Sequence, residues 1–167
     1  MKELLVLNPE SATETEWKNW PTREAARAIV LDADGKIALL HVSNESYYKL
    51  PGGGLEDNED KIVALRRECE EEIGCDVDVF SDVGIIVEYR KFYSLKQISY
   101  CYLARVKGDI GKPNFTETEI AGGFENVWLP FDEAITTIKE CHATTLEGRE
   151  YIVPRDTLFL ETARGLI

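Results

Sequence analysis

No run of apolar residues in this chain approaches the roughly 20 that a helix needs to cross a bilayer, so no membrane association is expected. The opening stretch, MKELLVLNPESATETEW, has a short apolar patch and then turns acidic. It lacks the apolar core and cleavage site of a secretory signal, and a cytoplasmic location is the expectation. Basic charge is scarce: 19 Lys and Arg stand against 31 Asp and Glu, a net charge of −12. Binding to a nucleic-acid backbone depends on Lys and Arg, so a nucleic-acid polymer is not expected as a partner. A small phosphorylated molecule stays open, because a bound cation reverses the local field. Only two histidines occur, His41 in a strand-like run and His142 after a helical one, and both read as structural. The four cysteines, Cys69, Cys75, Cys101 and Cys141, have neither metal nor redox spacing. They read as reduced, buried thiols of a cytoplasmic protein. There is no internal repeat and no low-complexity tract.

What is present suits one folded domain over residues 1–167, of which 44% are apolar. Residues 1–22 read as a lead-in segment. A strand from Thr22, a turn at Asp32-Ala33-Asp34-Gly35 and a return strand Lys36–Val42 follow. Tyr47–Leu50 is a short strand. Residues 76–91 and 97–107 are β-rich, with Gly84 as a bulge and a hairpin turn at 92–96. Residues 108–123 read as a mobile loop. A short strand from Phe124, a helix over 130–141 and a last helix beyond Pro154 complete the chain. The mixture implies an α+β fold.

The chain is organised around residues 52–75, GGGLEDNEDKIVALRRECEEEIGC. A glycine bend runs into a helix whose Ile62, Leu65, Cys69 and Ile73 fall within about 80° of one another, a buried stripe. Glu68, Glu71 and Glu72 share another face, about 120° away. Like charges so placed repel by a few tenths of a kcal/mol per pair. A hard divalent cation, Mg²⁺ foremost, accounts for such clustering. The glycines admit close backbone approach, Asp57 or Asn58 suits the helix N-cap with Glu59 and Asp60 at its positive end, and Gly74 suits the C-cap.

From Gly53, through Glu59, to Arg67-Glu68-Cys69-Glu70-Glu71-Glu72-Ile73-Gly74-Cys75, the stretch resembles the Nudix box, Gly-x5-Glu-x7-Arg-Glu-U-x-Glu-Glu-x-Gly-U, with U a bulky aliphatic residue. Every Gly, Glu and Arg position is filled, and Cys69 and Cys75 replace the U residues. The resemblance covers 23 of 167 residues. It implies the Nudix fold, a mixed β-sheet sandwiched between α-helices. It also implies a pyrophosphohydrolase, dependent on Mg²⁺ or Mn²⁺, acting on a nucleoside di- or triphosphate or a nucleoside diphosphate linked to another moiety. By the same resemblance Glu68, Glu71 and Glu72 are metal ligands, the Gly53 carbonyl is a further one, and Arg67 paired with Glu59 orients the acids. Glu70 is expected to point to solvent.

A carboxylate from a distant loop would complete the ligand set; Glu117, Glu119 and Glu125 are candidates, with Glu119 favoured. Tyr48, Arg90 and Phe124 are the candidate substrate contacts. The partner implied is a small-molecule nucleotide, and oligomeric state stays open, a homodimer included. Alternatives within the family are an ADP-ribose hydrolase, against which stands the lack of any proline after the box before Pro113, and a dinucleoside polyphosphate hydrolase, which Tyr93 loosely suggests. A nucleotide-sensing module that does not cleave its ligand is the alternative outside enzymology, and the complete set of glutamates argues against it.

Overall fold

The computed structural model describes residues 1–167. Strand β1 is Glu3–Leu7, β2 Thr22–Leu31, β3 Lys36–Val42, β4 Tyr47–Lys49, β5 Asp76–Arg90, β6 Leu95–Lys107 and β7 Phe124–Pro130. The helices are α1 (Glu14–Trp17), α2 (Lys61–Ile73), α3 (Glu117–Ala121), α4 (Phe131–Glu140) and α5 (Val153–Ala163). The strands form one mixed sheet in the order β1-β5-β6-β2-β3-β4, with β7 antiparallel along β3.

β2 is nearly all apolar because both of its faces are covered. Ala26, Ala28 and Val30 pack towards Leu65, Cys69 and Ile73 of α2. Ile29 and Leu31 pack towards Ile135 and Ile138 of α4 and Phe159 and Leu160 of α5. The sheet therefore lies between α2 and the α4–α5 pair, the sandwich expected above. Burying one Leu or Ile side chain in this way contributes about 1.5–3 kcal/mol. No helix is long and apolar enough to cross a membrane.

The site depends on how β2 and β3 part. They pair at Leu31 and Ile37, next to the turn. Beyond it β3 takes β4 as its neighbour, while the Ala28 and Ala26 N–H groups of β2 donate to the carbonyls of Pro51 and Gly53 at 3.0 and 2.9 Å. The glycine bend thus fills a gap in the sheet and delivers the chain to α2.

Several expectations are corrected. The lead-in segment is tied to the fold: Glu3–Leu7 form β1, which runs parallel to β5, Glu10 accepts from the Tyr151 hydroxyl at 2.5 Å, and Trp17 stacks on Tyr89 at 4.8 Å. The short apolar patch at its start does not by itself reveal the pairing, because the partner strand lies some 80 residues on. The cap of α2 is Asp60, which accepts from Ile62 N at 2.8 Å, and neither Asp57 nor Asn58 takes that place. The stretch 108–123 contains α3, capped by Thr116. Pro154 sits in the first turn of α5, where its missing N–H costs nothing, so the π-helical turn Gly148–Ile152 runs on into α5 unbroken. Gly74 does end α2 in a left-handed conformation, φ 71°, and the register of β5 does shift between Asp82 and Gly84.

Candidate active site

Glu59 and Arg67 are eight residues apart, too far to pair along one straight helix. They meet because α2 begins only at Lys61 and the chain before it folds back. Arg67 donates through Nε and Nη2 to the two oxygens of Glu59, each at 3.0 Å. The same guanidinium donates to Glu68 Oε1 at 2.8 Å and to the Gly54 carbonyl at 3.2 Å, and it lies 3.7 Å from Glu71 Oε2. One fork therefore ties the helix start, the glycine bend and two acids together. Its hydrogen bond holds the Glu59 carboxyl below the usual range.

Glu68 packs directly on the bend: a Cβ at position 53 would stand 2.3 Å from its Oε1. Burial, then the neighbouring Glu68, raises the Glu71 carboxyl, and Glu119 adds to this. Glu72 differs from both. It is 1% exposed, and its two oxygens accept from Lys49 Nζ at 3.0 Å and from Gly52 N at 2.6 Å. Burial raises its pKa, and Lys49 opposes the rise. Glu70 is exposed, as expected.

Glu68 and Glu72 share a cleft of about 270 Å³ with Gly52, Gly53, Gly54, Lys49 and Glu119. Of the three distal candidates, only Glu119 reaches it. Its carboxylate accepts from Thr116 N at 2.8 Å, closing the cap of α3. Glu117 is solvent-facing, and Glu125 lies 4.0 Å from His41. The Gly53 carbonyl accepts from Ala26 N, leaving one lone pair uncommitted.

No three His, Cys, Asp or Glu side chains converge into a ready-made cation cage. The chemistry of the donors still suits a hard divalent cation. Glu68, Glu71 and Glu119 bring carboxylates near a bend bare of side chains; burial first, then repulsion from Glu68 and Glu119, raises Glu71, and Arg67 opposes the rise.

The aromatic expectations fare differently. Tyr48 stacks on His41 at 4.4 Å and does not line the cleft. Its neighbour Tyr47 does, since successive strand residues face opposite sides. Phe124 packs edge-on to Phe115 and sits 4.9 Å beneath Lys49 Nζ, supporting the lysine that reaches Glu72. Arg90 is 3% exposed, bonds Glu88 at 2.7 Å, pairs with Glu147 and lines the cleft.

Sequence reasoning missed Arg23, Arg27, Lys49 and Arg155, all of which line the cleft. Arg155 bonds Asp156 at 2.7 Å and Glu88 at 3.2 Å, and Asp156 accepts from Leu50 N at 2.9 Å. A signal for Arg27 existed. A charged residue inside AARAIVL, a strand otherwise apolar, is costly unless it has a use.

Comparison with known proteins agrees with this geometry. The NUDIX domain model matches residues 21–148. A curated relative, the CMP-5'-(N-acetyl-N-hydroxy-3-aminopropyl)phosphonate hydrolase of Streptomyces rubellomurinus, is 29% identical over 126 residues, which is 72% of this chain and 58% of that protein. The chain thus spans less than two thirds of that relative's length. Among solved structures, the NUDIX hydrolase of Nitrosomonas europaea aligns with a TM-score of 0.64 at 19% identity, over 87% of this chain and 90% of its own. The MutT protein of Methanosarcina mazei Go1 aligns with a TM-score of 0.60 at 20% identity, over 89% and 97%. At such identities the likeness is one of fold. Because the domain match takes in both the glycine bend and the whole acidic helix, the chain belongs to the NUDIX domain family.

Proposed function

We propose that the protein is a Mg²⁺- or Mn²⁺-dependent pyrophosphohydrolase that cleaves the diphosphate linkage of a nucleoside triphosphate or nucleoside diphosphate derivative. The observation that carries this is the Arg67 fork, which holds Glu68 against a glycine bend at the edge of an acid-lined cleft. Glu68 and Glu71 would hold the cation, with Glu119 and the free lone pair of Gly53 as further donors. When bound, the cation neutralises phosphate charge and lowers the pKa of attacking water.

The protein's own groups do the rest. Water attacks one phosphorus, the bridging P–O bond breaks, and the second phosphate departs with the bridging oxygen. Glu68 or Glu71 takes the proton lost by water. Arg67, held by Glu59, keeps Glu68 from swinging into solvent. Glu72 acts from within, fixing the bend through Gly52 N and placing Lys49. The free cysteines, three of them buried, suit a reducing compartment such as the cytoplasm.

A panel of nucleoside triphosphates, nucleoside diphosphate sugars and dinucleoside polyphosphates with Mg²⁺, scored for phosphate and diphosphate release, tests the reading. At least one member should turn over. Glu71→Gln should fold normally and slow that turnover at least 100-fold, the scale of losing one preorganised charged group. No turnover of any member by folded protein sinks the enzymatic reading.

A further inference from the structure

The cleft has a second half that the acidic cluster does not use. Beyond the glycine bend it is walled by Arg27, Arg90 and Arg155, with Arg23 also in its lining. Arg90 and Arg155 are neutralised by Glu88, Glu147 and Asp156. Arg27 forms no direct ion pair: it is 6% exposed, Asp156, Glu72 and Glu88 act on it only from beyond ion-pair distance, and its Nη1 donates to the Gly52 carbonyl. Its Nε–H has no acceptor at all. A buried charged donor left unmatched is costly and implies an absent acceptor. Arg23, four residues earlier and so on the same face of β2, donates to Gln97 at 3.0 Å and likewise has no carboxylate partner. Apart from Tyr47 and Ile152 the lining is polar, with no pair of rings to clasp a base.

We infer that Arg27, with Arg23 beside it, forms an anion subsite for a phosphoryl or phosphonyl group in the half of the substrate away from Glu68, Glu71 and Glu119. The assignment rests on the reading under Proposed function and narrows it: the moiety seated here is a compact anion and not a nucleobase. The guanidinium of Arg27 supplies the Nε–H, and the Gly52 carbonyl holds the fork in place from its other end.

Calorimetric titration of metal-free protein with inorganic phosphate and pyrophosphate, at constant ionic strength set by sodium chloride, tests the subsite apart from catalysis. Wild type should bind saturably, and Arg27→Gln should weaken binding at least tenfold. Arg27→Lys keeps the charge but has no Nε–H and carries the test should the glutamine variant fail to fold; it should weaken binding several-fold. Absence of saturable binding to wild type, or unchanged affinity in a folded Arg27→Lys, overturns the subsite. Anion binding without turnover of any nucleotide would overturn the catalytic reading alone, and turnover without anion binding would overturn the subsite alone.

Discussion

Two adjacent glycines in the bend serve different ends. At Gly52, φ is +127°, and an added Cβ would lie 2.1 Å from the backbone oxygen of Ala26. Backbone cannot step aside there, so Gly52→Ala should lower stability by about 3 kcal/mol or more, strained conformation and clash together. At Gly53 the atoms nearest the added Cβ belong to the carboxylate of Glu68, a side-chain end that can rotate away. Gly53→Ala should therefore change stability by less than about 1 kcal/mol, yet lower turnover at least tenfold by displacing Glu68. Denaturant melts and rates on the two variants check this, and an equal stability loss in both would refute the division of labour. The acids of this site were legible in their spacing, because helical periodicity alone puts positions 68, 71 and 72 on one side. That Glu72 is sealed beneath Lys49 was not, since the lysine comes from a separate element, strand β4.

The helix α2 owes its start to Asp60 and its end to Gly74. Asp60→Ala should cost about 1 kcal/mol, the usual worth of an N-cap, whereas Asp57→Ala should stay within about 0.5 kcal/mol; guanidinium midpoints of the two distinguish them. Capping signals crowd this segment, with four acidic or amide residues between 57 and 60. Composition could not choose among them, because the choice turns on where the backbone leaves the extended bend. The same limit explains α3. Thr116 and Glu119 form a capping box, but the helix is a single turn that β7 and the cleft hold in place, and too short to show a period.

For the whole molecule, acid lability follows from carboxylates held by cationic or hydroxyl partners. Arg66 holds Asp76 at about 2, from an ordinary 3.8; the Tyr100 hydroxyl lowers Glu24 and Arg67 lowers Glu59. The folded protein then binds fewer protons than the unfolded chain in the range below about 4. The stability these groups contribute is complete above their unfolded values and is lost as pH falls through the folded ones. Denaturation midpoints should drop between pH 4 and pH 2, and Asp76→Asn should narrow its deficit against wild type over that interval. A constant deficit would remove Asp76 from the account. The α+β mixture and the acidic helix were both written in the sequence as local patterns, β-rich runs and the period of 3.6 in α2 with glycines at both ends, whereas the sandwich was implied by the resemblance of that stretch to the Nudix box. What only the tertiary structure decided was the other wall of the cleft. Arg27, Arg90 and Arg155 come from β2, β5 and α5, separated by more than sixty residues at each step, and no local pattern records which charges the sheet will bring face to face, because long-range pairing is set by the packing of whole layers.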